Sequence, residues 1–142
     1  MAKRILAPLD TRENSDAIVP VLAGLARGSG STVRLLRVFP LPERVVGPHG
    51  RTIAYADQEM ARLETEGLGE LHRIEAELHG LPVETVVRFG DPVEEILHES
   101  DAFDADLIAL TASDRGLRRA LGRGVAERVV RKAPVPTLVL NV

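Results

Sequence analysis

The residues best suited to bind an anion lie in one segment near the end of the chain. Ala105–Val142 reads as a buried strand, a loop, a basic helix and a second strand. Loops between a strand and a helix are common phosphate sites in nucleotide-binding proteins. Arginine binds phosphate through paired N–H donors. Four arginines lie in the loop and the helix: Arg115, Arg118, Arg119 and Arg123.

A second polar side chain, Asp10, directly follows the first apolar run, Arg4–Leu9. Its carboxylate could accept hydrogen bonds from a ligand. It could equally cap the turn or helix that follows, because Asp is a preferred residue at both positions. Both interpretations of Asp10 stay open at this stage.

Other chemistries find little support in the sequence. His72 and His79 are seven residues apart on a predicted helix, about 10.5 Å along its axis, which is too far for one metal ion. His49 and His98 have no partner at ligand spacing. No Gly-x-Ser-x-Gly or Walker sequence occurs, so we expect neither a metal site nor a catalytic nucleophile. The carboxylates of residues 94–106 are interpreted mostly as an exposed helix and its exit loop.

Composition limits the class of protein. The chain has 142 residues, of which 44% are hydrophobic and 3% aromatic, so we expect one domain over residues 1–142 with an aliphatic core. The absence of cysteine excludes disulfides, thiolate catalysis and cysteine metal sites. The opening MAKRILAPLD turns polar after a strand-length run, and other apolar runs are far below the ~20 residues of a membrane span. We therefore expect a cytoplasmic protein.

Charge gives no general reason to expect nucleic-acid binding, since the net charge is −3. The basic residues from Arg115 to Lys132 form a local exception. They could bind an anionic metabolite or nucleic acid. The interpretation we prefer is a solvated helix face whose last turn complements the helix dipole.

Five strand patterns alternate with four helical patterns along the chain. The predicted strands are Arg4–Leu9, Thr32–Phe39, Val83–Phe89, Asp106–Thr111 and Thr137–Val142. The predicted helices run over about 14–27, 52–79, 92–100 and much of 117–132. Pro40–Arg51, rich in proline and glycine, is predicted to be a surface loop.

Two helix starts carry capping signals. Asn14 or Ser15 is predicted to cap the first helix. Asp91 is predicted to cap the third, with Pro92 at the first helical position and Glu94 at capping-box spacing.

Strict alternation of apolar strands with helices predicts an α/β fold with a parallel sheet covered on both faces. Right-handed crossovers favour a doubly wound, five-stranded sheet in the order 3-2-1-4-5. Ligands of such sheets bind at the switch point, here between the first and fourth strands at their carboxyl ends. Pro8 and Asp10 are therefore expected to lie opposite Thr111–Arg115.

Four segments in register resemble the universal stress protein family, and the likeness covers nearly the whole chain. They are ILAPLDTRENSDAIVPVLAGLAR, LLRVFP, VRFGDPVEEIL and GLRRALGRGVAERVVRKAPVPTLVL. The first contains the family's typical Pro-x-Asp. The resemblance implies a Rossmann-like fold that in some members holds ATP.

In those members the adenosine part contacts residues that correspond to Pro8, Asp10 and Val38. The family holds phosphates on a loop of the form Gly-x-x-Gly, nine residues, then Gly-Ser or Gly-Thr. This chain departs from that pattern. The corresponding positions hold Thr111, Ser113 or Asp114, Arg123 and Gly124, and Val125 follows where the family also has valine.

These departures weaken the expected phosphate site. Glycine lets backbone N–H groups approach phosphate closely, whereas the β-branched Thr111 resists positive φ. A carboxylate at Asp114 would repel a triphosphate by roughly 1–4 kcal/mol per charge pair. Arg115 and Arg123 could hold a differently placed anion but cannot replace the missing N–H donors. We expect tight ATP binding by the family's usual mode to be lost.

The resemblance implies a non-catalytic regulatory or protective protein. The alternative is a switch that binds ATP or AMP through Pro8, Asp10, Val38 and the arginines. A slow nucleotide hydrolase is a third candidate, with Asp10 or Asp114 as the only available bases. In the family the last strand commonly pairs with its copy, so a homodimer through residues 137–142 is expected. A monomer with that edge shielded by residues 102–106 or a helix is the alternative, and protein partners are unknown.

Overall fold

The computed structural model describes residues 3–10, 12–42, 45–46, 52–112 and 123–142. Its strands are β1 (Arg4–Leu9), β2 (Thr32–Phe39), β3 (Val45–Val46), β4 (Thr52–Ala54), β5 (Val83–Phe89), β6 (Leu107–Ala112) and β7 (Thr137–Asn141). Its helices are α1 (Arg12–Ser29), α2 (Ala56–Glu77), α3 (Pro92–Phe103) and α4 (Arg123–Lys132).

The main sheet has five parallel strands in the order β5-β2-β1-β6-β7. Numbered by the five long strands alone, this is 3-2-1-4-5, so the predicted α/β class and topology are confirmed. The sequence changes direction across the sheet between β1 and β6. This places the switch point between the first and fourth long strands.

Alternation along the strands builds an aliphatic core on each face of the sheet. Ile5, Ala7 and Leu9 of β1 belong to the cluster that packs under α1 and α2. Leu6 belongs to the cluster on the opposite face, under α3 and α4. Burial on both faces explains why these strands read as continuous apolar runs.

One expected loop contains a second, two-stranded sheet. β3 and β4 pair antiparallel inside the segment 40–54, so the prediction of a plain loop over Pro40–Arg51 was wrong at Val45–Val46. The prediction that the second helix begins near Thr52 was also wrong, because α2 begins at Ala56. Tyr55 is its N-cap, in extended geometry, and its backbone N–H donates to Gln58 Oε1 at 3.1 Å.

Helix starts were predicted with mixed success. α1 begins at Arg12, so Asn14 and Ser15 lie inside the helix and neither is its N-cap. The prediction for α3 is confirmed: Asp91 Oδ2 accepts the backbone N–H of Glu94 at 3.0 Å, and Pro92 starts the helix. An N-cap hydrogen bond of this kind contributes about 1 kcal/mol.

The remaining bounds differ slightly from those predicted. α3 continues to Phe103 and ends at Asp104 in the left-handed conformation, φ 57°. β6 is shifted by one residue, and β7 ends at Asn141. The expected start of the last helix near Leu117 lies outside the described residues. Among the described residues, no helix is long and apolar enough to cross a membrane.

Candidate functional site

At the switch point, β1 and β6 pair over only part of their length. Their register consists of Ile5 with Leu107 and Leu6 with Ile108. On its other side, β1 pairs with β2 over all six residues, from Arg4 to Leu9. The carboxyl halves of β1 and β6 therefore have no register pairs between them, at the end of the sheet where α/β proteins bind ligands.

Four of the predicted site residues lie at or near the carboxyl ends of β1, β2 and β6. Pro8 is buried in β1, and Asp10 follows the strand with 4% of its surface exposed. Thr111 lies near the end of β6 with 2% exposed. Val38 is buried near the end of the adjacent strand β2. The topology thus brings Pro8, Asp10 and Thr111 to one edge of the sheet.

Asp10 has a local partner at the start of α1. Its Oδ2 accepts a hydrogen bond from Asn14 Nδ2 at 3.3 Å. This long contact supports the interpretation that Asp10 orders the turn into the helix. A nearly buried carboxylate at the end of a central strand can also serve a ligand, so the two roles are compatible.

A cavity of about 320 Å³ adjoins Asp10 on the α1–α2 side of the sheet. Charged residues from β2 and α2 line it: Arg37, Glu70 and Arg73. Arg37 Nε lies 3.5 Å from Glu70 Oε2, and its guanidinium lies over the Phe39 ring, 4.6 Å from the centroid. These three residues were not predicted from the sequence. The signal available was a charged side chain within the apolar run of β2.

The residues predicted to bind phosphate are only partly among those that the structure describes. α4 begins at Arg123, and Gly124 in its first turn is exposed, with no atom within 4 Å of where a Cβ would lie. Val125 is half-buried and packs against the core under α3 and α4. Arg115 and the side chain of Arg123 lie outside the described residues, as do Ser113, Asp114, Arg118 and Arg119.

A group of charged side chains joins α3 to the sheet. Glu99 is 3% exposed and binds two arginines, Arg34 Nη1 at 2.5 Å and Arg88 Nη1 at 2.8 Å. Arg88 also contacts Glu95 at 2.8 Å, and Arg34 contacts Glu84 at 2.7 Å. Hydrogen bonds to Glu95 and Glu99 raise the pKa of Arg88. Interpreting the carboxylates of α3 as mostly exposed was therefore wrong for Glu99.

Metal ligands are not clustered in the part of the chain that the structure covers. Within those residues no group of three or more His, Cys, Asp or Glu side chains could hold an ion. That the whole protein has no metal site stays a prediction from the sequence.

Comparisons with known proteins agree with the fold. A model of the universal stress protein family matches residues 1–141. The chain therefore belongs to the universal stress protein family.

A universal stress protein of Methanocaldococcus jannaschii is 37% identical over 82 residues, which is 56% of this chain and 48% of the relative. The match thus spans about half the length of that curated relative. The hypothetical protein MJ0577 has a similar fold, with TM-score 0.79 and 23% identity over 100% of this chain and 97% of that one. A universal stress protein from Archaeoglobus fulgidus in complex with dAMP has TM-score 0.64 and 20% identity, over 98% and 97% of the chains.

Proposed function

We propose that this chain is a non-catalytic regulatory protein that binds the adenosine part of a nucleotide in the crevice between β1 and β6. Pro8, Asp10 and Val38 are the proposed adenosine-side residues. Thr111, Arg115, Arg123, Gly124 and Val125 are the proposed residues of the phosphate side. AMP or adenosine would bind about as well as ATP.

The observation that carries this proposal is the buried carboxylate of Asp10 at the switch point of the sheet. Two central parallel strands stop pairing after Leu6 and Ile108, at the end of the sheet where α/β proteins bind ligands. A nearly buried carboxylate follows one of them. The structure of the related Archaeoglobus fulgidus protein is in complex with dAMP, a monophosphate. Together these features favour a nucleotide over a macromolecular partner at this edge.

The β- and γ-phosphates are expected to contribute little to affinity because of the residue types at positions 111 and 123. Thr111 and Arg123 stand where ATP-holding members have glycine. Each glycine lost removes a close backbone approach to phosphate. Arginine side chains supply charge but in a different geometry. The β- and γ-phosphates should therefore add little affinity.

An ATP-dependent switch is a second candidate, and one observation favours it. The first turn of α4 contains Gly124, which is exposed and has open space around it. Backbone N–H groups at a helix N-terminus attract phosphate. If these groups face the crevice, ATP would bind much more tightly than AMP.

Replacing Asp10 tests where the ligand binds. We expect Asp10→Asn to weaken AMP and adenosine binding by about 10- to 100-fold, because a hydrogen bond to a charged group contributes about 1.5–3 kcal/mol. The measurement is isothermal titration calorimetry on protein whose fold is checked by urea unfolding.

Asp101→Asn is the matched control for Asp10→Asn. Asp101 is an exposed carboxylate on α3, and the same amide replacement there should leave both affinities unchanged. Equal binding by wild type and Asp10→Asn would remove Asp10 from the site. Equal losses in the two variants would indicate a general effect of charge.

We also propose a homodimer through the strand at residues 137–142. β7 is an edge of the sheet, and Leu138 on it is 38% exposed. Val130 on the neighbouring helix α4 is exposed as well. An exposed edge strand with apolar side chains pairs readily with another strand.

The backbone of β7 offers a sharp test of the dimer. The carbonyl of Pro136 accepts the N–H of Ile108, and the N–H of Val142 donates to the carbonyl of Ala112. The backbone groups of even-numbered residues of β7 therefore point to β6, and those of Val139 point away from the sheet. Val139→Pro removes an outward N–H while sparing the internal ladder. We expect a monomer at concentrations where wild type sediments as a dimer. Leu41→Asp, at another exposed site, is the control and should stay dimeric. A wild-type monomer would contradict the proposal.

The wider context of the protein follows from the same family membership. We propose that residues 1–142 form one universal stress protein domain, supported by the family match over residues 1–141. A cytoplasmic location, a role in the stress response and the absence of catalysis are proposed with it. Protein partners other than a second copy are unknown.

A further inference from the structure

We propose that Pro8 is a positioning residue that opens the crevice by withholding a backbone N–H from β6. Its role would thus lie in the main chain, in addition to any contact of its ring with a ligand. The backbone hydrogen bonds at the strand ends show the direction in which each peptide group points. It deepens the proposed nucleotide function.

Backbone groups of successive residues in a strand point alternately to the two neighbouring strands. The carbonyl of Lys3 accepts the N–H of Thr32, which leads into β2. The carbonyl of Arg4 accepts the N–H of Asp106, which leads into β6. Even-numbered residues of β1, including Leu6 and Pro8, therefore direct their backbone groups toward β6.

The backbone groups of β6 also alternate between its two neighbouring strands. Ile108 donates its N–H to Pro136, and the carbonyl of Ala112 accepts the N–H of Val142, both on the β7 side. Even-numbered residues of β6, from Ile108 onward, thus face β7, whereas Asp106 precedes the strand and does not follow this alternation. The backbone groups of Ala109 and Thr111 face β1.

The next hydrogen bond of the ladder can now be identified. Leu6 is level with Ile108, so the following link requires residue 8 to donate its N–H to the carbonyl of Ala109. Proline has no N–H. The hydrogen-bonded pairing of β1 with β6 ends at that place, whereas Pro8 remains in register with Leu36 of β2.

The expected consequence is a backbone acceptor without its donor between two central strands. On the other side, β6 pairs with β7 from Ile108 to Ala112, so β6 itself stays extended. The carbonyl of Ala109, which faces β1, then lacks its ladder donor. This main-chain group can serve a ligand because Pro8 does not continue the ladder.

Two replacements separate the missing N–H from the proline ring. Pro8→Ala restores the N–H. A backbone ester, with lactic acid incorporated at position 8, lacks both the ring and the N–H. In Pro8→Ala we expect a trans-hydrogen-bond scalar coupling between the nitrogen of residue 8 and the carbonyl carbon of Ala109. Absence of this coupling in a folded variant overturns the inference, whatever the binding data show.

Binding provides the second readout. Closing the ladder should weaken AMP binding about fivefold in Pro8→Ala, the equivalent of about one net backbone hydrogen bond. The ester variant should bind AMP more tightly than Pro8→Ala, because both variants lack the ring and only Pro8→Ala restores the N–H. Equal losses in both variants would mean that the ring, not the missing N–H, matters, and would overturn the inference.

The two proposals can fail separately. If wild type binds neither AMP nor adenosine, the proposed nucleotide function fails. The scalar coupling in Pro8→Ala still decides whether the missing N–H separates the strands.

Discussion

Replacing Glu99 with alanine is expected to lower the free energy of unfolding by about 3 kcal/mol, because it leaves two guanidinium groups without their shared carboxylate. Each oxygen of Glu99 binds a different arginine, Arg34 from β2 and Arg88 from β5. The carboxylate thus ties α3 to two strands. Urea unfolding followed by circular dichroism measures the change.

The surroundings of Arg34 explain why the loss should be large. Burial lowers the pKa of Arg34, but its hydrogen bonds with Glu84 and Glu99 outweigh this effect and the pKa is raised. Its guanidinium also lies over the Phe103 ring, 4.2 Å from the centroid. An arginine stays charged at any working pH. Removing Glu99 therefore leaves a partly buried positive charge that cannot be neutralised by losing a proton.

Glu66→Ala is the matched control for Glu99→Ala, since both remove a carboxylate that pairs with arginine. Glu66 contacts Arg62 at 3.1 Å, with both side chains more than half exposed. Exposed pairs contribute little, so the control should change stability by no more than about 0.5 kcal/mol. Similar small effects at both sites would show that Glu99 does not join α3 to the sheet.

Adding a methyl group at Gly67 is expected to destabilise the protein by about 1–2 kcal/mol. A Cβ there would lie 2.8 Å from Phe39 Cε2 and 3.2 Å from Val87 Cγ2. Overpacking of this kind costs about 1–3 kcal/mol, and the higher helix propensity of alanine offsets up to about 1 kcal/mol of it. The close approach of α2 to β2 and β5 depends on this glycine.

Gly69→Ala provides the opposite case two residues further along the same helix. No atom lies within 4 Å of its Cβ position, and Gly69 is exposed. Alanine should therefore stabilise α2 by about 0.5–1 kcal/mol. Urea unfolding of the two variants should give changes of opposite sign. Stabilisation by both would mean that α2 does not pack tightly at Gly67.

The sheet could be predicted from the sequence because its strands are long, apolar and separated by helical patterns. The first three long strands were predicted with their observed bounds, Arg4–Leu9, Thr32–Phe39 and Val83–Phe89. The β3–β4 pair could not, since strands of two and three residues carry no measurable alternation. Proline and glycine around them indicate only a turn.

The site was predicted less completely than the fold. Topology alone was enough to place Pro8, Asp10 and Thr111 at one edge. Arg37 and Glu70 meet beside Asp10 through the packing of α2 on β2, a contact between distant segments that no local pattern encodes. Glu99 was interpreted as a surface carboxylate because its two arginine partners lie on strands far from it in the chain.

The residue types after β6 lead to the prediction with the largest consequence: ATP binds little more tightly than AMP. Isothermal titration of AMP and ATP into the same protein, with and without magnesium, tests this most directly. We expect AMP to bind and ATP to bind within about threefold of it, a difference below about 1 kcal/mol. Binding of ATP more than about 100-fold tighter than AMP, or no binding of AMP at all, would contradict the proposed function.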